Sequence, residues 1–125
     1  MAELCRISDD GEILERWEIG SAQLVVGRDE LSDIRIDDQN LSRHHFTVVR
    51  SGDSFVIQDL GSANGTWVNG QQVTIARLEP NAWICSGQTL FVFHLQSHAA
   101  QWVVIPAGLM ARRGAELHRP SEPAS

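Results

Sequence analysis

The chain is predicted to be all-β, an antiparallel β-sandwich, on three observations. Turn signals built around glycine recur at 9–12 (DDGE), 50–54 (RSGDS), 62–66 (SANGT), 68–71 (VNGQ) and 85–88 (CSGQ), each placing Gly where positive φ is cheap. Short β-branched and aromatic segments lie between these turns, and none keeps a helical period for more than two turns. Many short strands at close turn spacing fit two packed antiparallel sheets.

Taken in order, strands are expected at 13–19 after the DDGE turn, at 23–27 (QLVVG) and at 33–36 (DIRI). The next two, 45–50 (HFTVVR) and 54–60 (SFVIQDL), flank the RSGDS turn. Residues 66–68 open the stretch WVNGQQV, which reads as a tight hairpin around Asn69-Gly70. Strands at 83–85 and 89–95 flank CSGQ. Trp67, Phe91 and Phe93 fall in these strand patterns and are expected in the core. The character changes from Ser97 onward, where one short apolar run gives way to Pro, Gly and Ala. The expectation is a domain over 1–97 and a C-terminal extension over 98–125, disordered in its last residues. Trp102, in that extension, has two readings, packing back on the sandwich or meeting a partner.

At 125 residues, 42% hydrophobic and 21% charged, the chain suits one globular domain with a modest core. No run approaches the roughly 20 apolar residues of a membrane span. The start, MAELCRISDD, carries acids where a secretory leader would be basic, so a cytoplasmic location is expected. Cys5 and Cys85 are too few and too far apart for a disulfide framework or a metal knuckle, and read as reduced thiols. Charge is uneven. Residues 1–38 carry eleven acids against four arginines, while 39–98 balance three against three. A nucleic-acid binder would show a basic stripe instead. All ten basic residues are arginine, which points to a GC-rich, bacterial source and makes guanidinium the group available to bind an oxyanion bidentately.

The stretch LSRHHFTV (41–48) sets a serine, an arginine and two histidines at the mouth of a strand. Adjacent strand residues face opposite ways, so His44 and His45 do not grip one metal, and zinc wants three or four ligands. No metal site and no cofactor are expected. A Ser42 and His45 nucleophile pair lacks a third orienting group and an oxyanion hole, so no enzyme is expected either. Anion capture fits better, because several stretches offer donors at strand-to-loop junctions. VVGRDE puts Arg28 directly after a strand-ending Gly; LSRHH offers Ser42 and Arg43; GSANGTW offers Asn64 and Thr66. Loops at one end of a sandwich converge in space, and together they could surround a phosphate.

The series Gly27-Arg28, Ser42-Arg43 with His45, then DLGSANGTWVNG over 59–70, resembles the forkhead-associated (FHA) domain in order and spacing, over about residues 3–97. The resemblance implies an FHA-type β-sandwich of about eleven strands whose loops at one end bind phosphothreonine in an extended peptide. It implies that Arg28 and Ser42 contact the phosphate, that Arg43 adds charge, that Thr66 lines the pocket and that Asn64 hydrogen-bonds the peptide backbone. Gly27, His45 and Gly65 shape the loops, and His44 inherits no role. The implied protein is a non-enzymatic signalling adaptor whose partner is a phosphothreonine-containing protein made by an upstream Ser/Thr kinase, with no nucleic acid and no membrane involved.

Each residue has a plainer reading. Arg28 and Arg43 as solvated charge, Ser42 as a turn cap, Asn64-Gly65 as a turn and His45 as a satisfied structural histidine all remain open at this point. The alternative function is a phosphorylation-independent assembly module using a sandwich face or the 98–125 tail.

Overall fold

The computed structural model describes residues 2–95 and 103. Among the described residues there are eleven strands and no helix: β1 (Glu3–Ile7), β2 (Ile13–Glu18), β3 (Leu24–Gly27), β4 (Ile34–Arg35), β5 (Phe46–Ser51), β6 (Ser54–Asp59), β7 (Thr66–Val68), β8 (Gln71–Val73), β9 (Ile75–Arg77), β10 (Trp83–Ser86) and β11 (Thr89–His94). Among the described residues no helix is long and apolar enough to cross a membrane.

The strands form two sheets, ordered β2-β1-β11-β10-β7-β8 and β4-β3-β5-β6-β9. All pairs are antiparallel except β3 with β4, where Val26 meets Ile34 and Gly27 meets Arg35 in parallel. The expected sandwich is present, with that one parallel pair as a correction. A loop over 28–33 carries the chain between these strands, and one end of it presents Arg28.

Between the sheets lies a core in which Leu4, Val26, Phe46, Val48, Ile57, Ile84, Phe91 and Phe93 are completely buried. The Phe46 and Phe91 rings meet edge to face at 5.6 Å. Each such side chain stabilises the fold by about 1.5–3 kcal/mol through burial. Alternation along β11 sends Phe91 and Phe93 inward, while Leu90 and Val92 join Cys5, Ile7, Ile13, Trp83 and Cys85 in a second cluster on the outer face of the six-stranded sheet. Trp67 packs half-buried on that outer cluster rather than in the main core. Val103 covers part of it and donates its N–H to Gly11 O at 2.9 Å. Trp102 and the expected disordered end lie outside the described residues.

The tight hairpin at WVNGQQV is present: Val68 pairs with Gln71, and Asn69 and Gly70 both have positive φ (50° and 86°), the requirement of a type I′ turn. The expected strands hold to within a residue or two of their ends. β1 and β9 were not foreseen. β1 is covered on both faces, so its sequence ELCRI shows no polar-out alternation.

Candidate functional site: three loops stitched at one end of the sandwich

Three connections meet at one end: β3–β4 (28–33), β4–β5 (36–45) and β6–β7 (60–65). Gly27 makes their meeting possible, because a Cβ placed there would lie 1.9 Å from the carbonyl oxygen of Arg43. Side by side, the segments exchange backbone hydrogen bonds. Arg28 N–H donates to Ser42 O at 3.0 Å, and Asp29 N–H to Arg43 O at 3.1 Å. Ser32 Oγ donates to Arg43 O as well. The Arg28 guanidinium is anchored by one donor only, Nε to Leu41 O at 3.1 Å, so its terminal nitrogens remain for another acceptor.

His45 joins the β4–β5 loop to the β6–β7 loop. It is completely buried. Ser42 N–H donates to its Nδ1 at 3.1 Å, so Nδ1 is an acceptor and the ring proton sits on Nε2, which donates to Gly65 O at 2.7 Å. Both ring nitrogens are used by the neutral form, and a second proton on Nδ1 would face the Ser42 N–H. Burial holds the His45 pKa below the ordinary 6.5, against the opposing pull of the Gly65 carbonyl, Asp59 and Asp38. A histidine kept neutral in the fold contributes stability that is complete above its unfolded pKa and is lost as the pH falls below it, because the unfolded chain then binds more protons. Urea midpoints should therefore fall as the pH drops below 6.5, with this component of the slope absent from His45→Gln.

The β6–β7 turn is organised by Asp59. Its Oδ2 accepts from the N–H groups of Gly61 and Ser62, each at 2.9 Å, while Oδ1 accepts from Ser62 Oγ at 2.5 Å and Thr66 Oγ1 at 2.7 Å. Burial would raise the Asp59 pKa, but these four bonds outweigh it and hold the carboxyl below its ordinary value. Ser62 Oγ in turn accepts from Gly65 N–H. Asp59→Ala should cost about 2–4 kcal/mol in a denaturant melt, since it orphans several donors at once, and should loosen the turn that carries Asn64.

Two cross-bonds complete the site. Ala63 N–H donates to Ser42 Oγ at 3.0 Å and Asn64 Nδ2 donates to Asn40 O at 2.8 Å. Ser42 thus has its hydroxyl proton still to donate, and Asn64 keeps an amide N–H and its carbonyl oxygen. Asp38 fixes the loop from beneath by accepting from Asn40 N–H, Gln88 N–H and Thr89 Oγ1.

The structure brings Arg28, Ser42, Arg43 and Asn64 together, with Gly27, His45 and Gly65 beneath them. Thr66 is placed elsewhere. Expected in the pocket wall, it is completely buried and its hydroxyl is committed to Asp59, because β7 alternation turns Thr66 inward. The exposed residues of that turn are Leu60, Gly61, Ala63 and Asn64. Asp59, Ser62, Asn40 and Asp38 are organising residues that sequence reasoning missed. The only signal for Asp59 was its place at the head of a Gly- and Ser-containing turn, which reads equally as a solvated acid. The arginines stand on an exposed rim. An open cleft of about 680 Å³ is lined by Arg35, Asp37, Asp38 and Asn40 among others, and by neither of these two arginines.

Among the described residues, Arg6, Arg16 and Arg77 are paired with glutamates, whereas neither Arg28 nor Arg43 has a carboxylate partner. In a chain with a net charge of −6, two guanidinium groups without a described carboxylate partner, carried on loops whose backbones are bonded side by side, offer donors to an anion.

The FHA domain family matches the chain over residues 24–87. The oxoglutarate dehydrogenase inhibitor of Corynebacterium jeikeium is 35% identical over 78 residues, 62% of this chain and 54% of that protein. Among solved structures, Mycobacterium tuberculosis EmbR in complex with a low-affinity phosphopeptide superposes with a TM-score of 0.71 and 28% identity, covering 79% of this chain and 25% of that one. The FHA domain of FhaA, solved with the intracellular domain of another protein, gives 0.68 and 26%, covering 75% of this chain and all of that domain. The chain thus spans about half the length of the first of these proteins and a quarter of the second. With the braced loops of the site falling inside the matched segment, this chain belongs to the FHA domain family.

Proposed function

We propose that this chain is a phosphothreonine-peptide-binding signalling adaptor acting downstream of a Ser/Thr protein kinase. The observation that carries the reading is the pair Arg28 and Arg43, unpaired with any described carboxylate and held on adjacent loops by the Ser42 and His45 hydrogen bonds. FHA domains as a class read phosphorylated motifs through arginine. The relatives named as an inhibitor and a regulator, and the EmbR structure with its phosphopeptide, support the same reading.

Phosphothreonine carries about −1.5 to −2 charge and three acceptor oxygens. The Arg28 terminal nitrogens, the Ser42 hydroxyl and the Arg43 guanidinium supply donors for them. Asn64 is left to hold the backbone of an extended peptide, and Thr66 acts indirectly, by fixing Asp59 and through it the turn. Burial of the threonine methyl is worth about 0.8 kcal/mol, roughly fourfold over phosphoserine. Larger selectivity needs a shaped contact.

A titration against degenerate phosphothreonine, phosphoserine and unphosphorylated peptide libraries tests the reading. Phosphate-dependent binding that weakens as salt rises is the expected result. Equal binding of unphosphorylated peptide would sink it and favour a phosphorylation-independent assembly role.

A further inference from the structure

A second polar cluster lies away from the loops, on the outer face of the six-stranded sheet. Glu3 and Cys5 are two residues apart on β1 and so share a face, and the β1–β11 register sets Glu3 directly opposite His94. All three are buried. Cys5 Sγ is 3.4 Å from Glu3 Oε2 and 3.8 Å from His94 Nδ1, and His94 Nδ1 is 3.2 Å from the same Glu3 oxygen.

Those separations match a shared cation. An ion held tetrahedrally, about 2.3 Å from sulfur and about 2.0–2.2 Å from nitrogen and oxygen, sets its ligand atoms roughly 3.3–3.7 Å apart. Each edge of the triangle lies within a few tenths of an ångström of that range. Thiolate, imidazole and carboxylate together suit a borderline-soft divalent ion. We propose that Glu3 Oε2, Cys5 Sγ and His94 Nδ1 are the protein ligands of a zinc-type divalent cation that ties β1 to β11.

Arg16 Nη1 also reaches Glu3 Oε2, at 2.9 Å, and acts as the outer partner that orients the carboxylate. Burial first, and the Glu3 carboxylate second, push the Cys5 thiol up to about 12. The sulfur is therefore protonated without a cation, and binding transfers that proton to solvent. Thiolate and carboxylate then balance the two positive charges, with neutral imidazole as third ligand. The competing picture is a carboxylate satisfied by protein groups, Arg16, Cys5 and His94 among them, without an ion.

The test is a titration of tag-free, metal-stripped chain with Co²⁺. One equivalent should produce a thiolate-to-cobalt charge-transfer band in the near ultraviolet, bleached by Zn²⁺. Cys5→Ser should abolish the band and His94→Gln should weaken cobalt binding at least tenfold. With two cysteines in the chain, Cys85→Ser must keep the band, which assigns the sulfur even if the Cys5 variant fails to fold. Replacement of His98 and His118 should also leave it intact. No band from folded wild-type chain, a band surviving Cys5→Ser, or a band lost with Cys85→Ser would overturn the proposal.

Discussion

Arg28→Ala should weaken phosphothreonine-peptide binding roughly tenfold to a hundredfold, or beyond detection for a weak peptide, since each charge-assisted hydrogen bond contributes about 1.5–3 kcal/mol. The guanidinium is held from one side by Leu41 O, through Nε, so its two terminal amines are presented already oriented and little rotamer freedom is lost on binding. Arg28→Lys should fall between wild type and alanine, keeping the charge but losing the planar fork. The control is Arg50→Ala. It removes the same unit of charge from a side chain whose Nε donates to Gly52 O in the β5–β6 turn, away from the three loops. If long-range charge governed binding, the two alanine variants would weaken it alike. If Arg28 contacts the phosphate, Arg50→Ala should stay within about twofold, the screened influence of a distant surface charge. Equal losses in isothermal titration would remove Arg28 from the site.

How far the molecule was legible from its residues depended on whether the signal was local. Gly27, Arg28, Ser42, His45 and Asn64 each sit near a turn glycine or a strand end, which made their places readable, but the roles expected of them rest on the family resemblance, and the contacts they make cross from loop to loop. Eight strands were readable because one face of each is polar or a glycine turn bounds it. β1 was not, because in ELCRI the inner Leu4 and the outer Glu3 and Cys5 are all covered, and a strand buried on both faces loses its period-two signature. Thr66 was misplaced for a related reason. Motif spacing puts it next to Asn64, but alternation along β7 decides which side chain reaches the surface. The roles of Asp59 and Asp38 depend on donors arriving from separate segments, in the case of Asp38 from Gln88 and Thr89 some fifty residues away. The Glu3, Cys5 and His94 cluster was the least accessible of all, since the β1–β11 register alone joins groups 91 residues apart.

Gly27→Ala should be strongly damaging for a change of one methyl group. Gly27 does not need positive φ, being absent from the positive-φ glycines; it needs space. The added Cβ would stand 1.9 Å from Arg43 O, 2.7 Å from its carbonyl carbon and 2.9 Å from His44 Cα. All three are backbone atoms, so no side-chain rotation relieves the clash, and the 41–44 segment must retreat. Retreat strains or breaks the bonds from Arg28 N–H to Ser42 O and from Asp29 N–H to Arg43 O, and pulls the Ser42 N–H off His45. Overpacking together with these bonds amounts to about 3–5 kcal/mol, a large share of the 5–15 kcal/mol that holds a typical small domain. Any folded fraction should bind phosphopeptide at least tenfold more weakly, because Arg28, Ser42 and Arg43 no longer share one geometry. Gly20→Ala is the matched control. Nothing lies within 4 Å of a Cβ there, so the substitution should be neutral or slightly stabilising through the unfolded chain. A Gly27→Ala midpoint within about 1 kcal/mol of wild type in guanidinium unfolding would mean that the loops do not pack as closely as this site requires.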